Sequence, residues 1–212
     1  ALGIGATLTV FTIVNGVLVR PLPYANPDQV SMVWIAQPMK TGESWDLPLS
    51  SGFFNTLRTE TRTLTVAAFR GWSSSLQAPG AAEPEPVATA RVSRELFSVL
   101  GVKPLLGQVF DEDAMRPGGP RVTILSHHLW QGRFGADEGV IGKRVTLAGD
   151  AFTVIGVMPP GFVFPRGAEL PAAFRFANRT DLWTPLVFED RDLRNYGTQN
   201  LSVVGRRQER VA

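Results

Sequence analysis

The chain has 212 residues, 44% hydrophobic and 19% charged, which is long enough for one large domain or two small ones and too apolar to remain disordered. Its 21 basic and 19 acidic residues leave a formal charge of +2 with the basic residues scattered singly or in pairs, so there is no basic stripe of the kind that holds nucleic acid. Cysteine is absent, and disulfides, thiolate nucleophiles and cysteine-held metals are excluded with it.

Residues 1–19, ALGIGATLTVFTIVNGVLV, carry no charge. At about 1.5 Å per residue, a helix of that length nearly crosses a hydrocarbon core about 30 Å thick, so a transmembrane helix is the leading reading. Its threonines can bond back to the preceding turn, and Gly3, Gly5 and Gly16 suit close helix packing. A signal peptide and a buried soluble helix are the competitors; the first lacks a basic leader and an acceptable cleavage site. The chain does not begin with Met, so its true start is expected upstream. Without flanking charge, the orientation of the span is not readable.

Arg20-Pro21-Leu22-Pro23 stops the helix, because each proline removes a donor and pushes its predecessor toward extended backbone. Residues 30–36 then predict a strand, and 50–59 a helix with Phe53, Phe54 and Leu57 at helical spacing. Residues 64–72 and 86–92 predict strands around a Gly/Ala/Pro-rich hairpin at 78–84. Residues 93–100 predict a helix capped by Ser93, with Leu96, Phe97 and Leu100 inward and Gly101 as its stop. The polar stretch 111–120, containing Pro117-Gly118-Gly119-Pro120, is the candidate boundary between two subdomains.

Beyond it, residues 122–125 predict a strand and 126–134 a helix with Leu129, Trp130 and Phe134 inward. Residues 143–147 and 152–158 predict a tight hairpin across Gly149-Asp150. Residues 162–180 read as a loop rich in Phe, Arg and Ala, and 201–205 as a last strand, broken off at 206–212 before any partner element appears, as expected of a sequence cut from a larger protein.

The motifs of site chemistry fall short one by one. His127 and His128 are neighbours on a predicted helix, about 100° apart and without a third ligand, so a surface or helix-cap role is expected of them. Ser126 beside His127 lacks the flanking glycines of a nucleophile elbow. Asp111, Glu112 and Asp113 lack the continuation of a calcium loop and read as a solvated turn. The stretch Gly139-Val140-Ile141-Gly142-Lys143-Arg144 brushes against a phosphate loop, but Asp137 stands where glycine is required and Arg144 where Ser or Thr would hold magnesium. Gly3-Ile4-Gly5 fails as a dinucleotide fingerprint, with no preceding strand and Leu8 in place of its last glycine. The sequons Asn178-Arg179-Thr180 and Asn200-Leu201-Ser202 fit exposed loops and decide nothing. Catalytic, cofactor-binding and metal-ligating residues are therefore all read as none.

Five segments in order carry a resemblance. They are Gly16-Val-Leu-Val-Arg-Pro-Leu-Pro-Tyr24, Ala90-Arg91-Val92-Ser93 leading to Phe97-Ser98-Val99-Leu100-Gly101-Val102, Gly118-Gly119-Pro120-Arg121-Val122, Leu129-Trp130-Gln131, and Val154-Ile155-Gly156-Val157-Met158-Pro159-Pro160-Gly161-Phe162. Singly they are weak, but their joint order over nearly the whole chain resembles the MacB-like periplasmic core domain of ABC transporter permeases, in the form found in the large duplicated permeases.

The resemblance implies an α+β domain inserted between two membrane helices of a bacterial inner-membrane permease and facing the periplasm or outside. It would comprise a transmembrane segment at 1–19, a porter-like βαβ part at 20–120, a strand-rich Sabre-like part at 121–190 and a return strand at 191–212. Leu182-Trp183-Thr184-Pro185-Leu186 resembles the return out of the Sabre part. The implied work is mechanotransmission, with no catalysis and no cofactor in this chain. The implied partners are a cytoplasmic ABC ATPase subunit that binds the ATP, a second permease half or copy, and a periplasmic adaptor or substrate. The alternative is a membrane-anchored or secreted module that binds a ligand or protein through Trp34, Trp45 and Trp72, tryptophans that otherwise belong to a core. A hydrolase using His127 or His128 is the third reading.

Overall fold

The computed structural model describes residues 26–38, 44–166 and 177–208. The expected membrane span at 1–19 lies outside the described residues, and among them no helix is long and apolar enough to cross a membrane. The elements are β1 (Val30–Val33), β2 (Ile35–Pro38), β3 (Ser44–Leu47), β4 (Leu49–Ser50), α1 (Ser51–Glu60), β5 (Leu64–Gln77), β6 (Glu85–Val92), α2 (Leu96–Leu100), β7 (Leu106–Gly107), β8 (Val122–Leu125), α3 (His127–Phe134), β9 (Arg144–Leu147), β10 (Asp150–Val157), β11 (Leu182–Pro185) and β12 (Gln199–Arg207). The fold is α+β.

Ten of these strands make one sheet, in the order β1-β12-β5-β6-β11-β8-β10-β7, with β4 on β12 and β9 joining β10 to β5. The last link closes a six-stranded ring, β5-β6-β11-β8-β10-β9, so one end of the sheet is an open layer and the other a barrel. β5 belongs to both. Its first half pairs with β12, from Leu64↔Arg207 to Phe69↔Ser202, and its far end pairs with β9 at Leu76↔Leu147 and Gln77↔Thr146. β6 follows it along the other edge from Phe69↔Val92 to Leu76↔Glu85.

Sequence explains several boundaries. Ser50 accepts the Phe53 amide at 3.3 Å and starts α1. Ser126 does the same for α3 through the Leu129 amide, at 3.1 Å. Gly101 takes the left-handed conformation, φ 67°, that ends α2. The expected cap Ser93 is not one: its hydroxyl accepts the Ala68 amide at 3.1 Å, tying the chain to β5, and α2 starts later, after Glu95. The β9–β10 turn is formed by Ala148 and Gly149, both at positive φ (50° and 87°), one residue earlier than the spacing suggests. The run 30–36 is cut at Trp34: β1 joins the main sheet, while β2 turns away to pair with β3.

Three apolar clusters hold these parts. The largest gathers Phe69, Phe97, Phe162, Phe164 and Trp183 on one face of the sheet beneath α2. The second fills the barrel with Leu76, Val87, Leu125, Val145, Val154 and Leu182, stoppered by Leu129 and Trp130 of α3. The third, with Phe54, Val66, Ala68, Leu201 and Val203, lies under α1 on the opposite face of the open layer. The described ends of the stretch 162–180, expected as a loop, contribute to the core: Trp183 Nε1–H donates to the Phe164 carbonyl and the Thr180 hydroxyl to that of Pro165, each at 2.8 Å. Asp181 clasps β6 with a reciprocal pair, its carboxylate accepting the Ala88 amide at 2.9 Å and its own amide donating to the Ala88 carbonyl at 2.8 Å.

Candidate functional site

His127 and His128 begin α3, the first with its ring 5.4 Å from that of Trp130 and the second exposed. No cluster of three or more His, Asp or Glu that could hold a metal forms among the described residues. The acids at 111–113 are spent locally: Asp111 accepts the Ala114 amide at 2.8 Å, Asp113 pairs with Arg116, and Glu112 lies 4.0 Å from Arg94.

The stretch 139–144 has its amides committed to the fold. Asp137 accepts the Gly139 amide at 2.8 Å, Gly142 donates to Val154 at 2.8 Å and Lys143 to Val140 at 3.1 Å. Lys143, the residue that would reach a phosphate, instead donates to Asp137. That hydrogen bond first, then the Gly139 amide and the Lys143 charge, hold the Asp137 carboxyl below its usual range. Of the sequons, Asn200 lies on β12 and accepts from Arg70, while Asn178 is exposed and Thr180 fully buried. Gly3-Ile4-Gly5 lies outside the described residues.

A cleft of about 250 Å³ lies at the end of the barrel beneath the β5–β6 hairpin, lined in part by Leu76, Glu83, Glu85, Val87, Leu129 and Arg133. Glu85 and Arg133 pair across its rim at 2.5 Å. Sites for small-molecule ligands run to about 300–1,000 Å³, and this cleft falls just below that range.

The tryptophans divide. Trp130 and Trp183 are core, while Trp34 and Trp72 are half-buried and Trp45 lies on β3. Trp72 leads to the most unusual chemistry of the molecule. On β5, side chains at 66 and 68 face the cluster under α1 and those at 76 face the barrel interior; Arg70, Trp72 and Ser74 share that face between them by strand alternation. Directly opposite on β6 stand Arg91 against Arg70, Thr89 against Trp72 and Val87 against Ser74. The Arg91 guanidinium lies over the Trp72 ring, 4.9 Å from its centroid. Arg70 donates through one terminal nitrogen to Asn200. Its Nε, the Ser74 hydroxyl and the Thr89 hydroxyl are buried without a protein partner.

This polar belt crosses the sheet where the open layer becomes the barrel. Burial first, and the Arg91 charge second, pull the Arg70 guanidinium below its ordinary pKa, with Asp192 acting weakly the other way. Among the described residues no carboxylate lies within ion-pairing distance of Arg70 or Arg91. Sequence reading missed the belt because an arginine opposite an arginine exists only once the β5–β6 register is known. Arg70, Trp72 and Ser74 at alternate positions were its one visible trace.

Comparison with known proteins places this architecture. A search of curated proteins finds no match. Among solved structures, a domain described as part of a permease protein from Porphyromonas gingivalis superposes with a TM-score of 0.64 at 16% identity, covering 89% of this chain and 79% of its own. The periplasmic region of MacB from Actinobacillus actinomycetemcomitans gives 0.58 at 18% identity, covering 87% and 77%. The extracellular domain of the noncanonic ABC-type transporter YknZ from Gram-positive bacteria gives 0.58 at 15% identity, covering 85% and 84%. At such identities these likenesses speak for the fold. The sequence itself speaks for the family: the model of the MacB-like periplasmic core domain matches residues 1–209, and the chain belongs to that family, as the extracytoplasmic domain of a MacB-like ABC transporter permease.

Proposed function

We propose that the domain is non-catalytic and works by mechanotransmission, passing ATP-driven movement of membrane helices to the outer side of a bacterial inner membrane in export or extraction. A cytoplasmic ABC ATPase subunit supplies the energy, and a second permease half or copy forms the other arm. An adaptor or the substrate itself is the outer contact. In this reading residues 1–19 are a membrane helix, 20–120 and 191–212 the porter-like part, and 121–190 the Sabre-like part.

The observation that carries the proposal is the pairing of β1 with β12. Val30 opposes Arg206 and Val33 opposes Val203, so the chain comes into the folded unit and leaves it side by side. Arg206 reinforces the junction, donating through Nε to the Val99 carbonyl at 2.5 Å and through Nη1 to the Gln29 side chain at 3.3 Å. A domain hung from two neighbouring membrane helices needs this arrangement, because relative motion of the helices then acts on one strand pair. That pair is continuous through β5 with the barrel.

The test uses the lack of cysteine in these 212 residues, with any cysteine elsewhere in the permease or its ATPase replaced first. Pro79→Cys at the exposed tip of the β5–β6 hairpin, spin-labelled in the complete permease reconstituted with its ATPase, should show a tip-to-tip distance between paired copies that differs between nucleotide-free and ATP-trapped states. A distance unchanged in every nucleotide state defeats the mechanotransmission reading. Labelling of the same cysteine by an impermeant maleimide only from the cytoplasmic side would defeat the outward orientation.

A further inference from the structure

We infer that the polar belt between the open layer and the barrel is a binding site for an oxyanion, a carboxylate or phosphate group held by Arg70 and Arg91 with the Trp72 ring as one wall. The inference does not rest on the transport reading.

Like charges directly opposite on antiparallel strands repel, and Arg70 opposite Arg91 is such a pair. Their side chains carry forks of N–H donors that match the oxygens of a carboxylate or phosphate, and Arg91 is preset by lying over Trp72. The acid that acts on Arg70 is otherwise engaged: Asp192 accepts the Glu189 amide at 2.9 Å and closes its own turn.

A second observation is independent of charge. Buried polar groups nearly always have partners, yet Arg70 Nε, Ser74 Oγ and Thr89 Oγ1 all lack one on this same face, and Thr89 is 0% exposed. The unspent Arg70 Nε and Thr89 Oγ1, diagonal neighbours on the two strands, together with two cations lacking carboxylate partners, suit a group that only accepts hydrogen bonds and carries negative charge.

The strand edge beside the belt is also unpaired: β5 leaves β12 after Phe69 and meets β9 at Leu76, with only the Ser75 carbonyl taken, by the Ala148 amide at 2.9 Å. Arg91 itself is exposed.

The experiment follows the 212-residue chain in neutral detergent at fixed ionic strength, with sodium phosphate or sodium acetate replacing chloride. Tryptophan emission and the thermal midpoint are the two readouts. One or both anions should act saturably and raise the midpoint by about 3 °C at concentrations well above the dissociation constant. Saturation by phosphate alone assigns a phosphorylated ligand, and saturation by acetate a carboxylate.

R91Q should bind at least tenfold more weakly while melting no lower than the parent in chloride, because it also removes the repulsion. A merely structural arginine would lower that midpoint. R91K, which keeps the charge but loses the fork, should lie between the two and serves where R91Q fails to fold. W72F should abolish the emission change and keep the thermal response. The inference is overturned if neither anion saturates, or if R91Q and R91K respond as the parent does.

Discussion

β5 and β6 turn one face to an aromatic core and the other to the arginine belt, and the contrast separates what builds this domain from what it has to spare. On the first face Phe69, Ala90 and Val92 meet Phe97, Phe162 and Trp183, and the single indole donor of Trp183 finds the Phe164 carbonyl. On the second face the same two strands hold Arg70, Arg91, Ser74 and Thr89, with two cations lacking carboxylate partners and three donors lacking acceptors. Folding alone favours the first arrangement and opposes the second. A feature that the fold opposes needs another reason to exist.

The largest effect is expected from damaging the aromatic face. W183A should cost about 3–5 kcal/mol in chemical denaturation, from the cavity and the abandoned carbonyl of Phe164. The same logic reversed applies to the belt: T89V removes a fully buried hydroxyl with no partner and should raise stability by about 1 kcal/mol. A loss of that size instead would break the comparison, because it would show that the hydroxyl is already satisfied.

A smaller sign change comes from the charges. In a double-mutant cycle of R70Q and R91Q, the coupling between the two positions should be repulsive by about 0.5 kcal/mol, and should shrink on adding salt if the pair is reached by solvent. The smallest effect lies outside the belt, at Asp137. Its folded pKa is depressed, so the stability it confers is present above the unfolded carboxylate value and is lost as pH falls through the lower, folded value. The carboxylate is solvent-exposed, so D137N should only slightly flatten the acid limb of a melting-point–pH profile.

Sequence showed the α+β character because the short periodic runs carry their own stop signals: Gly101 after α2, and the Ala148-Gly149 turn one step from its expected place. It was less able to show where β5 ends. Residues 73–77, Ser-Ser-Ser-Leu-Gln, have little strand character of their own and stay extended because β6 and β9 hold them. β3, Ser-Trp-Asp-Leu, escaped for the same reason, being too short to display alternation and held in place by β2. Ser93 was misread as a cap because a serine ahead of a helix says nothing about the distant amide of Ala68. Ring closure and the belt both depend on registers between residues far apart in the chain, which no local pattern contains.

The fourteen residues of β5 form a single strand, each of them paired along at least one edge. At about 3.3 Å per residue it is a rod roughly 45 Å long, and a tilt of about 5° at its root would sweep its tip through about 4 Å. That is enough to slide a side chain past its neighbour. In the coupling proposed above, a strand rooted beside the point where the polypeptide comes in and goes out would act as a lever, turning small angular displacements at its base into contacts made or broken at the far barrel.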